Sequence, residues 1–498
     1  MARRYAEDEW FDGDRAIEVQ APEFSNLSSR HDVVYGSESI ETSDHVQNRG
    51  GRCRKSLLYT LICISIVAIA IGVGVGVSSS KTKEVFSPAM APTMSQDSTP
   101  GPTPTTANEV MDVILNAARQ GGAEFQNATT YQSKALAWVM TQTVPAPQYP
   151  NLDMKEQALQ LYALACLYFN TYSVPNAWTD FNLGKNVALP GWFSNTGWVQ
   201  HAGDVCNWYG ITCDSNNRVS KIQLDTNGLT GSFPAEVAYL MDSLYYIDLY
   251  NNLIQNTGDA GNAWLGELTN LENLYLGTTA FEYDGIPTYI GQLTKLKEFD
   301  CSYTLYFGTI PSGMWSNLTN LDYLVMDGNA YNCSLPQDLV TLPNLQYMYS
   351  GFSFLEGDLN FIPEMSKIFE LWIDNNPGLS STIPTTLPNA DTLVSFSVTG
   401  CGLTGTIPSE MGQMTDFIQM WLYDNELTGT IPSEIGNMVK MKIFDVEENL
   451  LNGTMPSQIC SRRTPFGRLQ ELQADCNSTV TCASTCCTCC GSQCVTKE

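Results

Sequence analysis

Apolar residues return along the back half of the chain in a fixed triplet. Take ten reference positions: Asn227, Asn252, Thr279, Thr304, Asn329, Ser353, Asn376, Cys401, Asn425 and Asn449. Eight, five and three residues before each one the sequence is apolar, from Val219/Ile222/Leu224 to Met441/Phe444/Val446, with Ser350 as the exception. The period is about 24 residues, which marks a stack of similar units rather than several globules. In each unit the last two members of the triplet flank one outward residue, the alternation of a short strand. Stacked strands form a parallel sheet whose inward faces make one continuous core.

The reference residue is polar yet lies inside this apolar rhythm. An asparagine there can satisfy backbone groups at the turn leaving each strand and so build a ladder through the stack. Thr279, Thr304, Ser353 and Cys401 are shorter, and the ladder is expected to weaken at them. Cys301 and Cys401 fall at interior positions and read as apolar packers. Between strands stand L-T-G-S-F-P, L-T-G-T-I-P twice and L-N-G-T-M-P, where Gly permits a tight turn and Pro fixes an extended dipeptide. These segments form the convex and lateral surface. An insertion in 253–267 is expected to bulge from one edge.

The outward columns hold the candidate ligand residues. One reads Gln223, Asp248, Tyr275, Asp300, Val325, Tyr349, Trp372, Ser397, Trp421 and Asp445, and the next includes Asp327, Asp374 and Tyr423. Rigid aromatic rings beside carboxylates suit a recognition strip. Tyr275, Tyr349, Trp372, Trp421 and Tyr423 are its aromatic candidates, with Asp248, Asp300, Asp327, Asp374 and Asp445 as the acids. Rings could stack on sugars or peptide side chains, and the acids favour a basic ligand. Strands also favour aromatics for packing alone, so neighbours burying one another is the competing expectation.

Upstream, three apolar periodicities predict helices near 108–118, 134–140 and 155–169, the last capped by Asn151 or Asp153. They are too few for an enzyme domain and suit a lid over the first unit. C-N-W-Y-G-I-T-C follows, and a Cys206–Cys213 disulfide would close a small loop there. His201 is the only nearby histidine, so zinc is not expected.

Composition adds three constraints. The formal charge is -27, from 25 Lys+Arg and 52 Asp+Glu, which argues against nucleic acid. Sixteen cysteines point to an oxidising compartment. Cys460, Cys476, Cys482, Cys486, Cys487, Cys489, Cys490 and Cys494 crowd the tail and are read as disulfide staples of unknown pairing. Residues 57–77 are uncharged and apolar, long enough to cross a bilayer. Arg49, Arg52, Arg54 and Lys55 precede them, so a signal anchor with the C-terminal body outside or luminal is expected. N-glycosylation sequons beyond it are Asn127, Asn317, Asn332, Asn452 and Asn477.

The back half, with its form L-x-x-L-x-x-L-x-L-x-x-N-x-L-x-G-x-I-P, resembles the plant-type leucine-rich repeats of receptor-like ectodomains. C-N-W-Y-G-I-T-C resembles their N-terminal cap, and the likeness covers about 130–460. L-Q-E-L-Q-A-D-C at 469–476, followed by C-A-S-T-C-C-T-C-C, resembles the terminal cap of membrane-anchored leucine-rich proteins of diatoms and related stramenopile algae. The resemblance implies architecture and placement rather than a reaction. No second apolar span or kinase follows the repeats, so a receptor kinase is not expected.

The resulting expectation is an α/β solenoid, a curved leucine-rich repeat stack of about ten units. Its parts are a disordered cytoplasmic tail (1–56), a transmembrane signal anchor (57–77), a Ser/Thr/Pro-rich linker (78–107), a helical N-terminal cap (108–218), the repeats (219–458) and a Cys-rich C-terminal cap (459–498). The functional expectation is a non-catalytic, cell-surface or endomembrane recognition protein, receptor-like, co-receptor or adhesive. Its ligand would be an extracellular protein, peptide or glycan, with a possible signalling co-receptor and no cofactor or metal. A structural protein of the cell surface or wall is the alternative. No Ser/His/Asp set, H-E-x-x-H motif or phosphate loop speaks for an enzyme.

Overall fold

The computed structural model describes residues 104–142, 152–172, 177–180, 185–188, 191–200, 204–255, 263–463, 467–475, 479–482, 486–487 and 489–490. The expected cytoplasmic tail, anchor and most of the linker lie outside them, as do His201, Cys476, Asn477 and Cys494. Among the described residues no helix is long and apolar enough to cross a membrane.

The body is a curved leucine-rich-repeat solenoid built on a 13-stranded sheet. Each reference residue defines a rung, from rung 1 at Asn227 to rung 10 at Asn449. The ten rung strands run from Val219–Gln223 and Tyr246–Asp248 to Gln419–Trp421 and Ile443–Asp445. They pair in parallel in sequence order, each triplet in register with the next, as in Phe396 opposite Met420. The triplets fill one core that runs from Val110 to Cys486. Cys301 and Cys401 are fully buried in it, as their positions require. Ser350, the one polar triplet member, is also buried, and its hydroxyl finds no partner.

The asparagine ladder forms as expected. Asn252 accepts from the amides of Asn227 and Leu229 at 3.2 and 2.9 Å and donates to the carbonyls of Leu224 and Leu249 at 2.8 and 2.9 Å. Asn376, Asn425 and Asn449 repeat the arrangement. Each amide thus ties its own rung to the one before. Thr279 donates its hydroxyl to Leu276 within its own rung. Ser353 and Cys401 reach back one rung, to the carbonyls of Met326 and Ile373. A hydroxyl or thiol cannot donate twice while accepting two amides, as a carboxamide can, which is why the ladder thins there.

The residue just before each reference position is left-handed in all ten rungs. These are Thr226, Asn251, Thr278, Tyr303, Gly328, Phe352, Asn375, Gly400, Asp424 and Glu448, with φ between 49° and 67°. Only two are glycine, so most rungs carry backbone strain at the turn out of the sheet. Gly328 has a further reason: a Cβ there would meet the Tyr303 ring at 2.3 Å.

The structure adds three features to the sequence reading. First, the L-x-G segments pair into flanking parallel sheets, such as Glu282–Asp284 with Leu305–Gly308 and Ala330–Tyr331, and Thr428–Thr430 with Leu450–Thr454 and Val480–Thr481. After the I-P dipeptide the chain turns into 3-10 helix, as at Ser409–Gln413 behind Pro408. Second, the stack does not stop at 458. Glu471–Ala474 pairs in register with Ile443–Asp445, and Leu469, Leu472 and Ala474 form an eleventh buried triplet. Cys489–Cys490 adds one more strand. Third, the insertion is anchored at its far end by Ala263–Glu267, where Trp264 and Leu265 are buried; residues 256–262 lie outside the described residues.

The first rung is sealed by helices α1 (Pro104–Asn116), α2 (Tyr131–Thr141) and α3 (Met154–Thr171). α1 begins four residues inside the stretch read as linker. Of the two cap candidates, Asp153 caps α3, in a capping box with Glu156. α3 is buried on nearly every side and packs on Ala235–Leu240 of the first unit. Gln160 reaches from it to accept from the Val219 amide at 2.7 Å, closing the open end of the first strand. Cys206 and Cys213 are joined, and Ile211–Cys213 pairs antiparallel with Val219–Gln223 at the sheet edge. Trp192, Trp198 and Trp208 pack together behind that loop. In the tail, Cys460 bonds Cys486 and Cys482 bonds Cys487.

Candidate functional site: the inner sheet face

Alternation along each short strand puts residues six, four and two before the reference position on the inner face. Register then sets neighbours one rung apart, as with Tyr349 opposite Trp372 and Trp421 opposite Asp445. The aromatic candidates therefore meet. Tyr323 lies 5.6 Å from Tyr349, Tyr349 5.1 Å from Trp372, and Trp372 5.7 Å from Trp421, between ring centres. Most of these pairs are edge-on or tilted, a favourable arrangement for ring quadrupoles. Tyr275 stands apart from this run. It pairs with Tyr246 at 5.5 Å, and the Lys221 ammonium lies 3.9 Å from the Tyr246 ring centre.

The rings are less open than a bare column suggests. Tyr275 and Trp421 are buried, while Tyr349, Trp372 and Tyr423 are half-buried. Their polar ends are tied down: Tyr275 donates to Glu298, Tyr349 to Glu370 at 2.9 Å, and the Trp372 indole to Ser395 at 2.9 Å. Burial, with the adjoining carboxylate next, pushes the Tyr275 and Tyr349 hydroxyls far above their ordinary range. Glu298 and Glu370 were not among the sequence candidates. The sign of their role was the register itself, since each lies on the strand beside its tyrosine.

The candidate acids brace the face. Asp300 accepts from the Ser302 amide and hydroxyl at 2.8 and 2.6 Å, and Asp248 and Asp445 accept from the amides of Tyr250 and Glu447. Asp327 and Asp374 reach across a rung, to the Gly351 amide at 2.6 Å and the Thr399 amide at 2.9 Å. All but Asp374 are buried. Burial raises the Asp300 carboxyl to about 7, against its hydrogen bonds to Ser302. It raises Asp445 to about 8, helped by Glu447, Glu471 and Asp475.

The charge is one-sided. Among the described inner columns Lys221 is the one cation, while Glu298, Glu370, Asp374, Glu447, Glu471 and Asp475 are half-exposed acids. Among the described residues no group of three or more His, Cys, Asp or Glu side chains is placed to hold a metal ion. Asn127, Asn317, Asn332 and Asn452 are all exposed, and none lies on the inner face. Asn332 and Asn452 each sit three residues past a reference position, on the flank.

No family model matches the chain. Curated plant proteins do match over part of the chain. Receptor protein-tyrosine kinase CEPR1 of Arabidopsis thaliana is 28% identical over 36% of this chain and 18% of its own length. Phytosulfokine receptor 1 of the same plant is 27% identical over 30% of the chain and 17% of its own length. The chain thus spans less than a third of these relatives. Among solved structures, the plant peptide hormone receptor RGFR1 in complex with RGF2 is 28% identical, covering 56% of this chain and 45% of that one, with a TM-score of 0.48. The chain is thus similar, over part of its length, to plant proteins named as receptors and receptor-like kinases.

Proposed function

We propose that this chain is a non-catalytic recognition protein that binds an extracellular protein or peptide ligand on its inner sheet face. The observation that carries the reading is the aromatic run from Tyr323 through Tyr349 and Trp372 to Trp421, set among carboxylates. Amphipathic rings held rigidly by their neighbours lose little freedom on binding. Tyr349, Trp372, Tyr423 and Asp374 are its half-exposed contacts, with Trp421, Tyr275 and the buried acids beneath. The curated relatives are named as receptors, one of them for phytosulfokine, and that agrees with a recognition role.

Placement follows the same reading. The apolar stretch 57–77 would anchor the chain in a single pass, with the disulfide-bonded body at the cell surface or in an endomembrane lumen. Exposure of the four described sequons supports glycosylation there. A separate co-receptor would carry any signal inward. We also infer a stramenopile-type lineage from L-Q-E-L-Q-A-D-C and the cysteines after it.

The test is a binding screen of the full-length chain in detergent against peptides, oligosaccharides and receptor ectodomains. A genuine inner-face ligand loses roughly tenfold or more in affinity with Trp372→Ala. An unchanged affinity sinks the assignment of this face. Non-saturable association with wall polymer would instead favour a structural coat, a reading supported by the exposed, uncharged strand Thr428–Thr430 on the flank.

A further inference from the structure

We propose that the occupant of the inner face is a lysine- or arginine-rich polypeptide segment, laid in extended form along the stack. This rests on the reading of that face as the ligand site and names the chemistry of the ligand. The aromatic run spans rungs 5 to 9, about 19 Å at the usual strand spacing, the reach of roughly six extended residues. The sheet face over it is unpartnered, and its charge selects the occupant. Beside the run stand Glu370 and Asp374, half-exposed, and beyond Trp421 come Glu447, Glu471 and Asp475. Lys221, the one cation of the inner columns, lies at the opposite end, on the Tyr246 ring. A second copy of this chain would set acid against acid, and an acidic ligand would meet the same repulsion. A cationic side chain gains twice, from carboxylates and from ring faces.

The same geometry makes the site a proton exchanger. Asp445 faces Trp421 on the preceding strand and lies beside Glu471 on the following one, with Glu447 and Asp475 at the turn and Lys442 and Arg468 at the entry edge. Burial and this crowding hold protons on Asp445 and raise Glu447 above the usual carboxylate range. Rung 4 has a second such group, Asp300, with Asp248 and Asp327 near it. A cation arriving over these carboxyls favours their charged form and expels protons. Affinity therefore rises from mildly acidic to mildly alkaline pH.

The experiment is calorimetry on the full-length chain in detergent, with a nonapeptide of repeating Lys-Ala-Arg as probe. An acidic Glu-Ala-Asp counterpart, spermine and a neutral oligosaccharide of glucose are the comparators. The basic peptide is expected to bind saturably, to release protons (read from buffers of different ionisation enthalpy) and to weaken roughly tenfold from pH of about 7.5 to about 5. Tyr423→Ala and Asp374→Asn are each expected to weaken it several-fold while melting remains cooperative; Tyr423→Phe restores the first. Preference for the acidic peptide or the neutral sugar overturns the cationic ligand but leaves the inner face as a site if Trp372→Ala still weakens that binding. Equal binding by wild type, Tyr423→Ala and Asp374→Asn reduces the effect to bulk charge and overturns the site as well. Spermine binding as tightly as the peptide assigns a free polyamine instead and overturns the polypeptide segment.

Discussion

Rungs 9 and 10 differ from rungs 3, 4 and 6 in how they are held, although both use the same strand. In rung 9, Asn425 accepts from two amides of the rung before it and donates to carbonyls of both rungs. In rung 3, Thr279 satisfies one carbonyl of its own rung. The middle rungs compensate with bulk: Tyr306 and Tyr331 are buried there, and Tyr303 lies over Gly328. The stack is thus stitched by carboxamide crosslinks toward both ends, at Asn252 and from Asn376 onward to Asn449, and filled by rings in its middle. The aromatic run begins at rung 5, just past the two threonine rungs.

The largest expected effect tests the stitching. Asn425→Ala leaves several buried backbone groups unpaired and is expected to cost about 3 kcal/mol or more, read from the denaturant midpoint. Thr279→Ala is expected to cost about 1 kcal/mol. Equal losses would erase the contrast between the two regions.

Next comes pH, which tests a property the regions share. The folded-state values of Asp300 and Asp445, about 7 and about 8, lie above the ordinary carboxylate range. Such groups contribute stability that is full below the unfolded value near 4 and is lost as pH rises through the folded one. Melting temperature is therefore expected to fall between pH of about 4 and about 8. Asp445→Asn should flatten that fall up to pH of about 8, and Asp300→Asn only up to about 7. A melting temperature that rises over this window would contradict both assignments.

The smallest effect probes the turn. Glu448 is exposed and left-handed, so Glu448→Gly is expected to stabilise by roughly 0.5–1 kcal/mol. Phe352→Gly releases similar strain but loses a half-buried ring, and no gain is expected. A gain at Phe352 as large as at Glu448 would mean that the ring contributes nothing to the middle rungs.

Much of this was legible beforehand because a stack repeats its physics. One register assigned the buried triplets, the ladder residues and the inner columns, and Cys401 and Asn425 stand where it put them. The eleventh triplet escaped notice because Ala474 is small and the interval after Asn449 is long. The flanking sheets were hidden because Thr-Gly-Thr reads equally as turn. The inner acids were the hardest to read. Asp374 shows no sign in sequence that its carboxylate grips Ser397 and Thr399, since those partners lie one rung away, in the neighbouring and the same column. Burial across rungs is set by neighbours about 24 residues distant, which a local pattern does not weigh.

The Cys460–Cys486 bond has a consequence for how the molecule is made. It joins the turn after rung 10 to the chain beyond rung 11, so the strand Glu471–Ala474 and its buried leucines are enclosed by a covalent loop that closes only under oxidation. Among reducing thiols the strand that buries Leu469 and Leu472 would lack that covalent closure, as the front would lack its Cys206–Cys213 bond. The tail thus makes the sealing of the C-terminal end depend on an oxidising environment.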